Sequence, residues 1–347
     1  IQTMKKIGTI IILIVLVTSI VTAWSIFSSI TNFSGKQKSF TVNQSIVKKG
    51  AVISYLSENG LITNSLGLRI LSLVLPNWHL VRPGKYQLKN GQTAWQIARM
   101  LKNGRVAEVK LVINKLRTKE DFARLIGNHF STDSATVMQF ITNNDSLQPF
   151  GVDTSTFYVM IMQDTYLFYW DTPFKKVLTK LKSYQEKFWD DIDRRNKLQT
   201  KQLTDIEAYT LASIVDEETN VISDKYKIAS VYINRLAKEM PLQACPTIKF
   251  AMKDFTITRI YEKYLSNPSP YNTYRKKGLP PGPICTPLPA TIDIVLNAPN
   301  TNYLYFVAKS DFSGMHHFSP TYEEHNRYAK EYQKALDIYM AKKNKKP

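Results

Sequence analysis

The sequence predicts an α+β protein carried behind a single N-terminal membrane-spanning helix. Three observations predict it. The 347 residues are 44% hydrophobic, 12% aromatic and 21% charged, a globular composition that excludes wholesale disorder and fibrous repeats. Ile7 to Phe27 is an apolar run with no charge. After it, half-alternating strand-like stretches are interspersed with segments of helical spacing, and no internal repeat is visible. At about 100–200 residues per domain, the length predicts two domains, or three.

Residues 1–6 are expected to be a cytoplasmic tail, with Met4 as the start and Ile1 to Thr3 an upstream extension. Residues 7–27 are long enough, at about 1.5 Å per residue, to cross roughly 30 Å of hydrocarbon. Lys5 and Lys6 precede the run and the next basic residue is Lys36. The positive-inside rule then keeps the N-terminus in the cytoplasm and the body outside. Trp24 sits where an interfacial aromatic belongs. The competing reading is a cleaved signal peptide with Val21-Thr22-Ala23 as a weak cleavage site. No cysteine follows the run, which excludes a lipoprotein. Residues 28–39, polar and free of acids, are expected to be a linker.

Residues 40–114 read as a small α+β module. A strand enters near Phe40-Thr41-Val42. Lys48 to Glu58 has helical spacing and Gly60 stops it. Ser65 to Leu75 is a second short helix ended by Pro76. Pro83-Gly84 turns the chain into a strand. Thr93 caps a helix over Ala94 to Lys102, and Val106 to Ile113 reads as a strand.

Residues 115–340 form the expected catalytic domain. Arg117 to Leu181 reads as mainly helical, with the aromatic run Tyr166 to Trp170 as core or interdomain contact rather than a ligand platform. Phe174 to Ile192, Leu203 to Thr219 and Asp224 to Lys238 read as helices. Pro268 to Pro289 holds seven of the 16 prolines, which precludes helix and ladder strand, and its aromatic and amide content predicts an ordered loop. Asn302 to Ala308 reads as a strand. Thr321 opens a last helix to about Met340 with a capping box to Glu324, and 341–347 is a solvated basic tail.

Forty-six Lys and Arg against 28 Asp and Glu leave a formal charge of +18. Such a chain favours anionic partners, or the charge only solubilises. The expected export makes nucleic acid an unsuitable partner. Cys245 and Cys285 stand alone with no CxxC, which excludes a zinc ribbon and a disulfide scaffold but leaves one disulfide open. GxSxG, HExxH and P-loop motifs are absent, and the histidines lack metal-ligand spacing. No metal and no cofactor are expected.

The chemistry-bearing segment is Leu211 to Asn220, LASIVDEETN. On a helix with Ala208 at zero, the apolar residues cover an arc from about 240° round to about 40°. Glu217 falls clear of it at about 180°, Asp216 just past its edge at about 80°, and Glu218 inside it at about 280°. A carboxylate among apolar residues is desolvated, which raises its pKa and keeps it protonated near neutral pH. Three acids also crowd a helix C-terminus, where the dipole disfavours them. Local rules are broken most at functional sites, and a protonated Glu of this kind is the general acid that splits a glycosidic bond. The alternative is that the helix frays after Val215 and all three acids are solvated.

The motifs LASIVDEET, KIASVYINRL (227–236), PLQACPT (241–247), SPYNTYRKKGLPPGPI (269–284), NYLYFVA (302–308) and GMHHF (314–318) occur in that order. Over about residues 160 to 335 they resemble the YceG-like (MltG) family of endolytic murein transglycosylases. Asp164-Thr165-Tyr166 resembles that family's upstream DTY, and residues 40–114 resemble its LysM-like subdomain. The resemblance implies an enzyme of the cytoplasmic membrane, its body on the extracytoplasmic side. It would cut peptidoglycan glycan strands between N-acetylmuramic acid and N-acetylglucosamine and leave 1,6-anhydro ends. It implies Glu218 as the catalytic residue. It carries Gln243, Thr247, Tyr271, Asn272, Tyr274 and His316 over as substrate-binding residues, and cell-wall synthases as partners. The YNTY residues have a second reading as caps of their own loop, and His316 as a brace for Glu218. Where the family commonly has Asp before Pro-Thr, this chain has Cys245, and Asp216 replaces a more usual Glu. A Cys245–Cys285 bridge is a further expectation. The competing functions are a muramidase-type hydrolase, with Asp216 as second carboxylate, and a non-catalytic peptidoglycan-binding scaffold.

Overall fold

A computed structural model describes residues 2–257 and 260–343. Two compact units divide the chain. The first comprises residues 1–111, 129–131 and 167–173, and the second 112–128, 132–166 and 174 onward.

The first unit begins with α1 (Gln2–Phe27), in which Lys6–Phe27 has a mean hydropathy of 2.7. Then come β1 (Gln37–Val42), α2 (Lys49–Glu58), α3 (Leu66–Val74), β2 (Gly84–Lys89) and α4 (Ala94–Lys102). β1 and β2 pair antiparallel, with Gln37 opposite Lys89 and Val42 opposite Gly84. Strand alternation turns Phe40, Val42, Tyr86 and Leu88 inward, where they meet Val52, Ile53 and Leu56 of α2, Leu68 and Leu71 of α3, and Ile97 and Leu101 of α4. Thr93 caps α4 in a reciprocal box with Gln96. Gly84 has φ +151°, and a Cβ there would lie 2.3 Å from Val106 Cγ1, so the turn into β2 requires glycine.

The stretch expected as a linker is packed. Ile30 and Thr31 are each 2% exposed, and Phe33 is buried. Ile30 N–H donates to Gln92 O at 2.8 Å, and Thr31 Oγ1 to Lys89 O at 2.9 Å. β1 starts at Gln37, three residues before its expected core. Isolated apolar residues in a polar stretch are enough to seat it, and a reading by average composition passes over them.

β3 (Glu108–Val112) pairs with β4 (Thr165–Tyr169), and the division between the units runs through both strands. It falls three residues before the expected boundary at 114/115. β4 corrects the expectation of a mainly helical 117–181. Tyr166 and Phe168 are buried while Leu167 and Tyr169 are exposed, a period of two that sets the aromatic run as a strand with a core face.

The second unit is mostly helical. α5 (Lys119–His129), α6 (Ser134–Ile141) and α7 (Asn144–Leu147) precede β4, and α8 (Phe174–Trp189), α9 (Ile192–Lys201), α10 (Asp205–Glu218) and α11 (Ile222–Ala237) follow it. Then come α12 (Cys245–Ala251), α13 (Glu262–Leu265), α14 (Pro289–Leu296), β5 (Tyr305–Ala308), β6 (His316–Ser319) and α15 (Tyr322–Lys343). α10 is the central helix. It packs on α11, α12 and α14, and every residue from Ala208 to Asp216 is buried. β5 and β6 pair antiparallel with Ala308 opposite His316. The basic tail expected from 341 is helical through Lys343, and 344–347 lie outside the described residues.

Candidate active site

α10 opens with a capping box between Thr204 and Glu207 and runs without fraying to Glu218, where Thr219 turns extended. The three acids at its end have three environments. Asp216 is 3% exposed. Its Oδ1 accepts from Thr291 Oγ1 at 2.7 Å and from Lys225 Nζ, and Lys115 Nζ lies 2.9 Å from Oδ2. Burial pushes its carboxyl up, but the bonds from Lys225, Lys115 and Thr291 outweigh it and hold the group below the usual carboxylate range. Glu217 forms a bidentate pair with Arg117, at 3.1 Å from both Nε and Nη2, and lies 3.3 Å from Lys115 Nζ. These cations answer the helix-terminus repulsion that the sequence left open.

Glu218 differs. It is partly buried and, among the described residues, has no cation at bonding distance. Tyr232 of α11 donates its Oη–H to Glu218 Oε1 at 2.6 Å. Burial pushes the Glu218 carboxyl up to about 7, helped by Glu217 and opposed by the Tyr232 bond and the more distant charge of Lys249. It is therefore a carboxylic acid that titrates near neutrality. The helical wheel expected a desolvated carboxyl at Glu218, and burial does push it up. It misplaced Asp216, because it assumed a helix with one solvent face, whereas α10 is enclosed.

Cys245, at the start of α12, stands beside it. Its Sγ is 3.1 Å from Tyr274 Oη, and burial with the Glu218 charge pushes its thiol up, so it remains a thiol. Burial also raises Tyr274. Glu218, Tyr232, Cys245, Lys249 and Tyr274 thus form one electrostatic neighbourhood. Cys285 is buried, with its Sγ 3.5 Å from Ser213 O, and both cysteines are free; the expected bridge is not formed.

The other expected site residues separate into two groups. Gln243 is exposed, in the left-handed region at φ +53°, with its side chain 3.2 Å from Arg235 Nη1. Tyr271 packs on Phe250 at 4.7 Å, and burial raises its phenol to about 12. Tyr271 and Phe250 border a cavity of about 380 Å³, which Arg117 and Lys119 also line and which Gln243 and Glu218 do not. Thr247 and Asn272, in contrast, are fully buried. Thr247 Oγ1 donates to Ala244 O at 2.7 Å. Asn272 Nδ2 donates to Leu265 O and Asn267 O at 2.9 and 2.7 Å, and its Oδ1 accepts from Tyr274 N–H. They brace the loop that presents Tyr271 and Tyr274, which is the loop-capping reading.

His316 lies on β6. Its backbone N–H and Nδ1 both meet Asp224 Oδ2, at 2.7 and 3.0 Å. A carboxylate accepts, so Nδ1 carries a proton. The ring touches Phe306 edge-on at 5.5 Å, and Phe306 touches Tyr232 at 5.8 Å. His316 thus reaches Glu218 only through two rings. Sequence reading missed Tyr232, Lys115, Arg117, Lys225 and Arg235. Tyr232 and Arg235 lay in a quoted motif, KIASVYINRL. Arg235 gathers the carbonyls of Pro241, Leu242 and Leu304 at 2.7–3.1 Å and so ties α11 to the α12 approach.

A model of the YceG-like family matches residues 45–331. The chain belongs to the YceG-like family. Within the family it is 38% identical over 175 residues to the endolytic murein transglycosylase of Bacillus subtilis, which covers 50% of this chain and 43% of that protein. It is 32% identical over 139 residues to that of Streptococcus pneumoniae strain D39, covering 39% of this chain and 25% of the relative. The matched region thus spans less than half the length of these relatives. The crystal structure of a YceG-like protein from Listeria monocytogenes aligns with a TM-score of 0.56 at 25% identity, covering 84% of this chain and 98% of that one.

Proposed function

We propose that this YceG-like protein is a membrane-anchored endolytic murein transglycosylase with Glu218 as its general acid and base. It acts on bonds between N-acetylmuramic acid and N-acetylglucosamine and leaves 1,6-anhydro ends. The observation that carries the reading is the state of Glu218, a carboxylic acid poised near neutrality beside two acids already held by cations. The names of the relatives support the same activity.

A hydrolase needs two working carboxyl groups, an acid and a nucleophile or base. Asp216 is occupied by Lys115, Lys225 and Thr291, and Glu217 by Arg117 and Lys115. One free carboxyl suits an intramolecular reaction. Glu218 protonates the leaving glycosidic oxygen, the muramyl 6-hydroxyl attacks the anomeric carbon, and the Glu218 carboxylate takes the hydroxyl proton. The attacking group is already tethered, which gives it a high effective molarity. Tyr232 occupies Oε1, so Oε2 is the oxygen that exchanges the proton. Tyr271, Phe250 and Tyr274 supply rings and a hydroxyl for the sugars. The β-α-α-β order of the first unit supports a LysM-like glycan-binding module, and the apolar α1 supports an anchor to the cytoplasmic membrane.

The test is digestion of purified peptidoglycan, both nascent strands and mature sacculi, by the full chain and by Glu218→Gln, with mass spectrometry of the products. The expected result is anhydro-muramyl ends from the unaltered chain and a loss of about 10²–10⁴-fold in the variant. Reducing ends would make the protein a hydrolase. Absence of cleavage from both would leave a glycan-binding scaffold.

A further inference from the structure

Among the described residues, the outer face of α3 has no partner in the first unit. Gly67, Leu68, Leu71 and Ser72 turn inward and are buried. Leu66, Ile70, Leu73 and Val74 recur at i, i+4, i+7 and i+8 and form one outward stripe. Leu73 is 84% exposed, Val74 71% and Leu66 45%, and Leu80 just beyond is 59% exposed. The helix is thus apolar on both faces, whereas a water-facing helix should carry polar residues on one.

The inner face of α3 meets the end of α1. A Cβ at Gly67 would lie 2.0 Å from Ser25 O, so the two backbones touch there. Ser25 is buried, and Phe27 approaches Trp95 of α4 at 6.5 Å. The packed residues 28–33 leave no free tether between α1 and the unit. Leu73 and Val74 are six and seven residues past Gly67, about 10 Å along the helix. Ser25 is two residues from the end of the apolar stretch, so the stripe lies within reach of the headgroup and acyl boundary.

Charge agrees. Residues 28–111 hold twelve Lys and Arg against Glu58 and Glu108. Arg69 flanks the stripe on α3, Lys48 bridges to Leu80, and Lys49 Nζ donates to Ser72 O. Apolar residues bordered by cations are the pattern that seats a helix in an anionic interface.

We infer that the first unit lies against an anionic bilayer, with Leu66, Ile70, Leu73 and Val74 in its interfacial layer. The inference rests on the reading of α1 as a retained anchor. It makes the first unit a membrane-bound collar rather than a body hung on a flexible stalk.

The test uses the full, unaltered chain in vesicles of phosphatidylcholine with about 30% phosphatidylglycerol. The vesicles carry a lipid with a photoactivatable diazirine near the top of its acyl chain, and labelled peptides are mapped by mass spectrometry. Labelling of both 6–27 and 64–75 is the expected result. Label in 6–27 alone would overturn the inference and leave the anchor standing. Label in neither would remove the anchor and the inference with it. A companion variant, Leu73→Asp with Val74→Asp, alters only exposed side chains. It should keep the label in 6–27 and lose about tenfold of that in 64–75. Label in 6–27 alone, from vesicles in which an amine-reactive cross-linker joins two copies of the chain through the first unit, would assign the stripe to a second copy of the chain and overturn the inference.

Discussion

Asp216, Glu217 and Glu218 are consecutive and chemically alike in sequence, yet among the described residues only Glu218 lacks a cation at bonding distance. The Tyr232 bond lowers the Glu218 pKa against the push of burial. Removing that hydroxyl therefore raises it. Tyr232→Phe should move the alkaline limb of kcat/KM from about 7 to higher pH, while the acid form still cleaves. A pH–rate profile of the variant decides this, and an unmoved or lowered limb would remove Tyr232 from the proton-transfer network. Glu218 was legible because a carboxylate on an apolar arc is visible in 14 residues of helix. Its partner was not, since nothing in a wheel of α10 shows which residue of α11 faces it.

The elements around the site hold it through ion pairs and backbone bonds. Lys225 is 5% exposed and Asp216 neutralises it. Asp216→Asn leaves that charge buried and unpaired and should cost about 3–5 kcal/mol by chemical denaturation, with the C-terminal turn of α10 loosened. The 268–289 loop is ordered by Asn272, which donates to two carbonyls and accepts one bond from Tyr274 N–H. Asn272→Ala should lose both activity and protease resistance of the loop, whereas Tyr274→Phe should keep the resistance; limited proteolysis with mass mapping separates them. Proline content foretold an irregular loop and its amides foretold order. The helical spacing of 94–102 and of 49–58 foretold α4 and α2. β4 was missed because aromatic residues suit strand and buried helix alike, and only pairing with β3 decides.

Across the whole molecule the Glu218 shift becomes a stability term. Its folded value of about 7 lies above the ordinary 4.5, so the folded chain binds the extra proton between them. The contribution is fully present below about 4.5, falls as pH rises, and is lost above about 7. Glu218→Gln removes this dependence. Relative to the variant, the unaltered chain should lose about 1–3 kcal/mol between pH 5 and pH 8. Denaturation of both at the two pH values measures it, and equal losses would place Glu218 in open solvent.

The sequence by itself determined what depends on near neighbours in the chain: the apolar α1, the helix caps, the proline loop and the order of family motifs. Periods of 2 and 3.6 and steric limits on proline act over a few residues, so they can be read without a fold. Tertiary structure decided the rest. Lys115, Arg117 and Thr291, which sort the three acids, are 101, 100 and 75 residues from their partners. Thr247 and Asn272 turned inward as braces, and Ile30, Thr31 and Phe33 became part of a buried core. Burial and ion pairing are properties of distant segments brought together, and an acid's chemistry is set by what reaches it.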